Sequence, residues 1–175
     1  LPKLDFELPE KYLLFVHNAS WITKLWSVKL WQDLVEKVVE QGYSVLLPCG
    51  NDEEFKRAQD IASVSTQAFA LPRLSLNEVA AITHKAKGAV CSDTGLAHLA
   101  AVAGLPTVTL YGATDTKLIG TYGKNQQHIV SNFGCSPCYK RQCALTGSSN
   151  GEPVCMDNIT AEQVWDRLET LLPAK

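Results

Sequence analysis

Several features that define large classes of protein are missing from this sequence. Its longest apolar stretch, 96–110, is interrupted by His98, Gly104 and Pro106 and is too short to span a bilayer. Its net charge is −2 and no block of like charge occurs, so it offers no basic surface for nucleic acid. Neither G-x-G-x-x-G nor G-x-x-x-x-G-K-S/T is present, which argues against an ordinary NAD enzyme or a P-loop NTPase.

What the sequence does contain is an alternation of short apolar runs with amphipathic stretches. Its 175 residues suffice for one domain with a single core. The predicted strands are 12–16, 43–47, 66–70, 89–91, 107–111 and 128–130. The predicted helices are 28–41, 52–62, 76–85, 96–103 and a last one that opens at Thr160. Strands that alternate with helices favour an α/β domain over 12–175, built on a doubly wound parallel sheet.

The first eleven residues do not fit this alternation. Segment 1–11 carries Pro2 and Pro9 and shows no clear period. We expect it to be the remnant of a linker from a missing N-terminal domain. The sequence begins at Leu1 without a signal-peptide pattern, so we expect an excised domain or processed fragment of a larger protein.

The stretch 89–112 carries the clearest functional pattern. An apolar run leads into the polar turn S-D-T-G at 92–95, which opens a helix of small residues. Such a unit aims a helix N-terminus at the carboxyl edge of a parallel sheet, where N–H groups and the helix dipole favour an anion. Asp93 and Thr94 are good N-cap types, and His98 lies one turn beyond Thr94 on the same face. The alternative is a capped helix with a partly buried histidine.

The loop after the first predicted strand has a second polar pattern. Ser20 can donate a hydrogen bond, and Lys24 brings a mobile positive charge. A hydroxyl and a lysine in this place suit a diphosphate. The alternative is a surface loop with a solvated lysine.

Six cysteines are present, and four of them cluster late in the chain. Cys49 and Cys91 lie in strand contexts and are predicted to be small buried apolar residues. The other four, within segment 135–155, follow the spacing C-x-x-C-x-x-x-x-C and then a fourth: Cys135, Cys138, Cys143 and Cys155. They could hold a structural zinc, form disulfides or stay reduced around a compact loop. A single C-x-x-C leaves the zinc pattern incomplete.

The segment SDTGLAHLAAVAGLPTVTLYGATDTKLIGTYG, at 92–123, resembles the most characteristic part of the lipopolysaccharide heptosyltransferases, glycosyltransferase family 9. The run D-T-G-L-A-H, the G-x-P-T after it, then Tyr111-Gly112 and Thr114-Asp115 follow the order of that family. The tail T-D-T-K-L-I-G-T-Y-G-K-N resembles the type I branch more than type II. The resemblance covers nearly the whole chain but only the C-terminal half of the family's proteins.

This resemblance implies a Rossmann-like domain, the C-terminal, donor-binding half of a GT-B glycosyltransferase. The implied donor is ADP-L-glycero-D-manno-heptose. The implied acceptor is Kdo2-lipid A at the cytoplasmic face of the bacterial inner membrane, bound through the missing N-terminal domain with peripheral membrane contact. The implied reaction is one inverting displacement without a cofactor. The family's general base is an aspartate of the N-terminal half, so this chain alone is expected to bind nucleotide weakly and not to catalyse.

The resemblance also implies a diphosphate site. Ser20 and Lys24 match the family's hydroxyl and lysine, whereas Ala19 stands where the family often has threonine, so one phosphate hydroxyl is expected to be missing. The groups expected to hold the diphosphate are the backbone N–H groups of Thr94 and Gly95 and the side chains of Lys24, Ser20 and His98.

Three further residues receive roles from the same resemblance. Glu54 matches a glutamate expected to accept hydrogen bonds from the ribose; the alternative is a surface glutamate favoured by the helix dipole. Leu74 matches an apolar residue that packs on adenine; the alternative is a hydrophobic staple before the next helix. Asp93 is assigned to heptose hydroxyls or to helix capping.

Two functional alternatives stay open. The first is a heptosyltransferase II or another family member with a different sugar donor or acceptor. The second is a non-catalytic binding module, in which the cysteine-rich loop holds zinc and the α/β layer is a scaffold.

Overall fold

Six parallel strands and six α-helices alternate along the chain in this computed structural model, which describes residues 4, 6–145 and 152–173. The strands are β1 (Tyr12–Val16), β2 (Ser44–Leu47), β3 (Ala68–Ala70), β4 (Gly88–Ser92), β5 (Thr107–Tyr111) and β6 (Gln126–Val130). The helices are α1 (Val28–Glu40), α2 (Asp52–Ala62), α3 (Leu76–Lys85), α4 (Gly95–Val102), α5 (Thr116–Ile119) and α6 (Ala161–Glu169). Two short 3₁₀ turns cover Ile22–Lys24 and Val154–Asn158.

The strands form one sheet in the order β3-β2-β1-β4-β5-β6, and every neighbouring pair is parallel. The chain builds outward from β1 to one edge, returns to place β4 beside β1, and builds outward to the other edge. This confirms the predicted doubly wound sheet. The loops after β1 and β4 therefore separate in opposite directions, which opens a crevice at the carboxyl ends of these two strands.

Helices cover both faces of the sheet, and the alternation along β1 shows the division. Leu13 and Phe15 belong to a core on one side, together with residues of α1, α2 and α6. Tyr12, Leu14 and Val16 belong to the core on the other side, with residues of α3 and α4. Because β1 is buried on both faces, it reads in the sequence as a continuous apolar run.

Local capping signals fix the helix starts. The side chains of Ser75 and Thr160 accept hydrogen bonds from the amides three residues later, and Glu78 and Gln163 complete the capping boxes. Both capping boxes were predicted from sequence and are confirmed.

The bounds of two strands differ most from the predicted ones: β3 begins two residues later than predicted, and β6 begins two residues earlier. Both strands lie at the sheet edges, where fewer apolar side chains are needed to cover them.

Two sequence predictions concern segments that the structure covers incompletely. Residues 146–151 of the predicted cysteine-rich segment lie outside the described residues. Within 1–11, Leu4, Phe6 and Leu8 pack against the second core. The assignment of this segment as a linker stays a prediction. Among the described helices, none is both long enough and apolar enough to cross a bilayer.

We expect Gly112→Ala to destabilise the fold. Gly112 follows β5, and a Cβ there would lie 2.5 Å from Met156 Sδ and 3.2 Å from Cys155 Sγ. Both side chains are buried, so neither can move into solvent. Overpacking of this kind costs about 1–3 kcal/mol, measurable by urea unfolding. Gly134→Ala is the control, since a Cβ at Gly134 meets no atom within 4 Å. Equal midpoints for the two variants would contradict this packing.

Candidate functional site

An open cavity of about 370 Å³ lies in the crevice beside the carboxyl ends of β1 and β4. Four of the predicted site residues line it: Ser20, Glu54, Leu74 and Thr94. They come from the loop after β1, the first turn of α2, the loop before α3 and the start of α4. The topology therefore brings together side chains that are far apart in the sequence.

One end of the cavity combines a carboxylate with an apolar wall. Glu54 Oε2 accepts a hydrogen bond of 2.7 Å from the Gly50 amide, which holds the carboxylate against the β2–α2 turn. Leu74, Leu76 and Val79 line the same cavity. Leu76 is 69% exposed and adds apolar surface to this wall. This end is complementary to a nucleoside, which has a flat apolar base and a ribose whose hydroxyls donate hydrogen bonds.

The other end is the N-terminus of α4. Thr94 is the N-cap residue, but its side chain makes no capping hydrogen bond. The N-cap side chains of α1, α2, α3, α5 and α6 all make one. A Cβ on Gly95 would meet no atom within 4 Å, so the space above the first turn is open. The first N–H groups of α4 therefore face a region where an anion can approach.

Lys24 and Asp93 form a buried ion pair beside this helix start. Lys24 Nζ lies 2.6 Å from Asp93 Oδ2, and the side chains are only 12% and 5% exposed. Thr114 Oγ1 donates a hydrogen bond of 2.7 Å to the same carboxylate oxygen. Asp93 is thus not the helix cap, which is Thr94. The pairing of Asp93 with Lys24, and the part of Thr114, were not predicted from sequence.

The remaining predicted residues are placed less centrally. Lys24, Asp93, Gly95 and His98 are not among the residues that line the cavity. His98 is exposed on α4, and within the described ranges it forms no hydrogen bond or ion pair. It lies one turn from Thr94 along α4, as predicted.

The two residues that directly follow β1, His17 and Asn18, have no role predicted from sequence. Asn18 lines the cavity, and its Nδ2 donates to His17 Nε2 at 3.1 Å. His17 is fully buried; burial, and next the charge of Arg57, lower the pKa of His17 to about 3. A neutral imidazole leaves Nε2 free to accept, which orients Asn18. Their place at the end of a central strand is the sequence signal that could have found them.

The same wall borders a second, larger cavity of about 580 Å³, which shares Asn18, Ser20 and Glu54 with the first. Arg57 and Glu152 line it and form an ion pair of 2.7 Å. Arg57 Nη2 also donates to the Trp26 carbonyl. These contacts fix the outer wall of the loop that carries Ser20.

The cysteine-rich loop contains free thiols in the structure. Cys135 is exposed, Cys138 and Cys143 are half-buried, and Cys155 is buried. Burial, followed by the charges of the other three cysteines, raises the pKa of Cys155 to about 11. No group of three or more His, Cys, Asp or Glu side chains in the described part of the chain is arranged to hold a metal ion. The zinc alternative has no support from this arrangement, and the disulfide alternative is not seen.

We expect Lys24→Met and Asp93→Asn each to destabilise the chain by about 3 kcal/mol, because each leaves the partner charge buried and unpaired. The double variant should recover most of this loss, as a double-mutant cycle in urea would show. Lys29→Met is the control, since Lys29 forms its ion pair with Asp33 at the exposed surface. Additive losses in the double variant would contradict the pairing.

The buried His17 should make stability depend on pH. The folded pKa is about 3 and the ordinary value is 6.5, so the unfolded chain binds the extra proton between these values. Stability that is present above pH 6.5 is then lost as the pH falls towards 3, by up to about 1.4 kcal/mol per pH unit. His17→Gln should flatten this slope in urea unfolding at several pH values. Exposed His84→Gln is the control, and an unchanged slope for His17→Gln would contradict the assignment.

Comparisons with known proteins identify relatives of this chain. A family model described as glycosyltransferase family 9 (heptosyltransferase) matches residues 2–148. Lipopolysaccharide heptosyltransferase 1 of Pseudomonas aeruginosa is 38% identical over 172 residues, which cover 93% of this chain and 48% of that protein. The chain therefore spans about half the length of this relative.

Solved structures of heptosyltransferases are also similar to this chain. The E. coli heptosyltransferase WaaC with ADP superimposes with a TM-score of 0.76 at 31% identity, covering 92% of this chain and 44% of that one. The same enzyme with ADP-2-deoxy-2-fluoro heptose gives a TM-score of 0.70. E. coli ADP-heptose lps heptosyltransferase II gives 0.73 at 23% identity, covering 93% and 46%, a likeness of fold alone. The sequence match and the sheet with its cavity lead to one conclusion: this chain belongs to glycosyltransferase family 9, the heptosyltransferases.

Proposed function

We propose that this chain is the donor-binding half of an enzyme that transfers L-glycero-D-manno-heptose from ADP-heptose to Kdo2-lipid A in lipopolysaccharide biosynthesis. The observation that carries the proposal is one cavity with Glu54 and an apolar wall at one end and Thr94, the N-cap of α4, at the other. A nucleoside diphosphate likewise has an apolar base and a ribose at one end and negatively charged phosphates at the other. The similar WaaC enzyme has been solved with ADP, which supports the choice of nucleotide.

The nucleoside binds at the Glu54 end. Leu74 packs on the adenine, and Glu54 accepts hydrogen bonds from the ribose hydroxyls. Only Oε2 of Glu54 accepts the Gly50 amide, so a carboxylate with about four lone-pair sites keeps acceptor capacity for a diol. The Gly50 contact also fixes the side chain before the ligand arrives, which lowers the entropy lost on binding.

The diphosphate binds across the start of α4. The N–H groups of Thr94 and Gly95 donate to phosphate oxygens, with Ser20 from the loop opposite and His98 at the border. Lys24 contributes through its ammonium group, which has three donors and gives only one to Asp93. Asp93 is held away from the phosphates by Lys24 and Thr114, and it orients Lys24 or bonds to the heptose.

These groups stabilise the leaving group. In a single inverting displacement, an acceptor hydroxyl attacks the anomeric carbon and its proton passes to a general base. The bond from that carbon to the phosphate oxygen breaks, and ADP leaves with the electron pair. The increased charge on ADP is stabilised by Lys24 and the α4 N–H groups. We place the general base in the part of the relatives that this chain does not cover, so no catalytic residue is assigned here.

The acceptor and the location follow the same proposal. Kdo2-lipid A would bind mainly to the part outside this chain, at the cytoplasmic face of the inner membrane, with peripheral membrane contact. A heptosyltransferase II is the second candidate, but its solved example is 23% identical to this chain against 31% for WaaC. The lower identity favours the type I assignment.

Calorimetric titration with ADP, UDP and 2′,3′-dideoxy-ADP tests the donor site. We expect the chain to bind ADP in preference to UDP and to bind the dideoxy analogue about tenfold more weakly, since each charged hydrogen bond to the ribose is lost. Glu54→Gln should weaken ADP by a similar factor and no longer distinguish the two adenine ligands.

Asp52→Asn is the matched control, because it removes a carboxylate from the same first turn of α2 without lining the cavity. ADP affinity that is equal in Glu54→Gln and the unaltered chain would contradict the ribose contact. Equal binding of ADP and UDP would overturn the adenine assignment. The chain by itself, given ADP-heptose and Kdo2-lipid A, is expected to show no heptose transfer.

A further inference from the structure

The segment 139–141 of the cysteine-rich loop is anchored directly against the candidate diphosphate site. The Tyr139 amide donates a hydrogen bond of 2.7 Å to the Ala113 carbonyl, next to the residue that holds Asp93. Thr23 Oγ1 donates one of 2.6 Å to the Lys140 carbonyl, and Thr23 is 1% exposed. Two hydrogen bonds to different parts of the site therefore fix the backbone just before Arg141.

The backbone of this segment adopts a conformation that a non-glycine residue rarely takes. Tyr139 has φ 54°, in the left-handed region. This conformation has a conformational cost, and Tyr139 itself remains 50% exposed, so burial of its ring does not compensate it. The two hydrogen bonds at Tyr139 and Lys140 maintain this conformation, and the conformation determines where the next residue, Arg141, is placed.

Arg141 and Lys24 lie over the same indole. The Arg141 guanidinium carbon is 5.4 Å from the centre of the Trp21 ring, and Lys24 Nζ is 4.7 Å from it. Both distances are measured to the centre of the Trp21 ring, so the Lys24 ammonium and the Arg141 guanidinium are no farther apart than the sum of the two distances. This cation–π contact holds the guanidinium group over the indole, and because Arg141 is exposed its N–H groups stay available to a ligand.

The charges at this site differ in their availability. Lys24 is neutralised by Asp93 at 2.6 Å. Arg141 is exposed, and within the described ranges no carboxylate lies within ion-pair distance of it. A diphosphate therefore meets one cation that is already paired and one that is not. The unpaired guanidinium is also the better match for phosphate, because its planar fork can donate two parallel hydrogen bonds.

We infer that Arg141 binds the distal phosphate of the nucleoside diphosphate, the phosphate that carries the sugar. This inference rests on the proposed function. The order of the contacts selects the distal phosphate. Glu54 and Leu74 line the nucleoside end of the cavity, and Ser20 and Thr94 line its diphosphate end. Trp21 follows Ser20, and the two cations over its ring are not among the residues that line the cavity. Arg141 is thus a second cation that stabilises the departing diphosphate, supplied by the cysteine-rich loop.

Titration of the chain with ADP and with AMP tests the assignment. Arg141→Ala should weaken ADP about tenfold and change AMP by less than about twofold, because AMP lacks the distal phosphate. Arg141→Lys should give an intermediate ADP affinity, since a lysine keeps the charge but not the fork. Lys140→Ala is the matched control: it removes the neighbouring charge but keeps the carbonyl that accepts from Thr23.

Each result either supports or contradicts the role proposed for Arg141. Unchanged ADP binding in Arg141→Ala, or an equal loss in Lys140→Ala, overturns the role of Arg141. An equal loss for ADP and AMP overturns the choice of the distal phosphate. If the unaltered chain binds neither nucleotide, the proposed function itself fails. Thermal unfolding of each variant shows whether a loss of affinity results from a loss of folding. If Arg141→Ala is unstable, the ADP and AMP affinities of Arg141→Lys are compared with those of the unaltered chain.

Discussion

The buried contact between Lys24 and Asp93 joins the parts of the fold that form the site. Lys24 ends a 3₁₀ turn after β1, Asp93 follows β4, and Thr114 from the chain after β5 donates to the same carboxylate. Three neighbouring strands are thereby tied together at their carboxyl ends. A charge that far from water is costly unless it is paired, so the loop after β1 has one favourable position against α4.

The same contact limits what Lys24 can do for an anion. An ammonium group beside a carboxylate presents little net charge, and a doubly or triply charged diphosphate needs more. The structure offers two further sources of positive potential: the first turn of α4, which lacks a side-chain cap, and Arg141 on the face of Trp21. An anion bound here would thus depend on several partial contributions, each held by a different loop. In the proposed site, the hydrogen bonds from Thr23 and to Ala113 hold the cysteine-rich loop, and with it Arg141, beside the other two contributors.

The sequence was sufficient where the determining interactions are local. The capping boxes at Ser75 and Thr160 and the apolar run of β1 depend on residues within a few positions, so pattern alone located them. Ser20, Glu54 and Leu74 were expected at one site with Thr94 because of the family resemblance, and the structure places all four around one cavity. The contact of Lys24 with Asp93 was not expected, because it joins residues 69 positions apart and depends on how deeply both side chains are buried. The position of Arg141 depends on a rare backbone conformation at Tyr139, which no local propensity predicts.

The distribution of groups around the cavity also bears on the division of labour in the proposed enzyme. Most of the charged or polar groups assigned here act on the nucleotide side of the bond that breaks, on the ribose or the two phosphates, whereas Asp93 orients Lys24 or bonds to the heptose. Two groups that could act as bases are engaged or shielded: Asp93 is held by Lys24 and Thr114, and His17 is buried behind Asn18 with a pKa lowered to about 3. A half-site of this kind would favour departure of the diphosphate. In the proposed enzyme the general base comes from outside this chain, so donor binding and acceptor activation would be divided between two structural units.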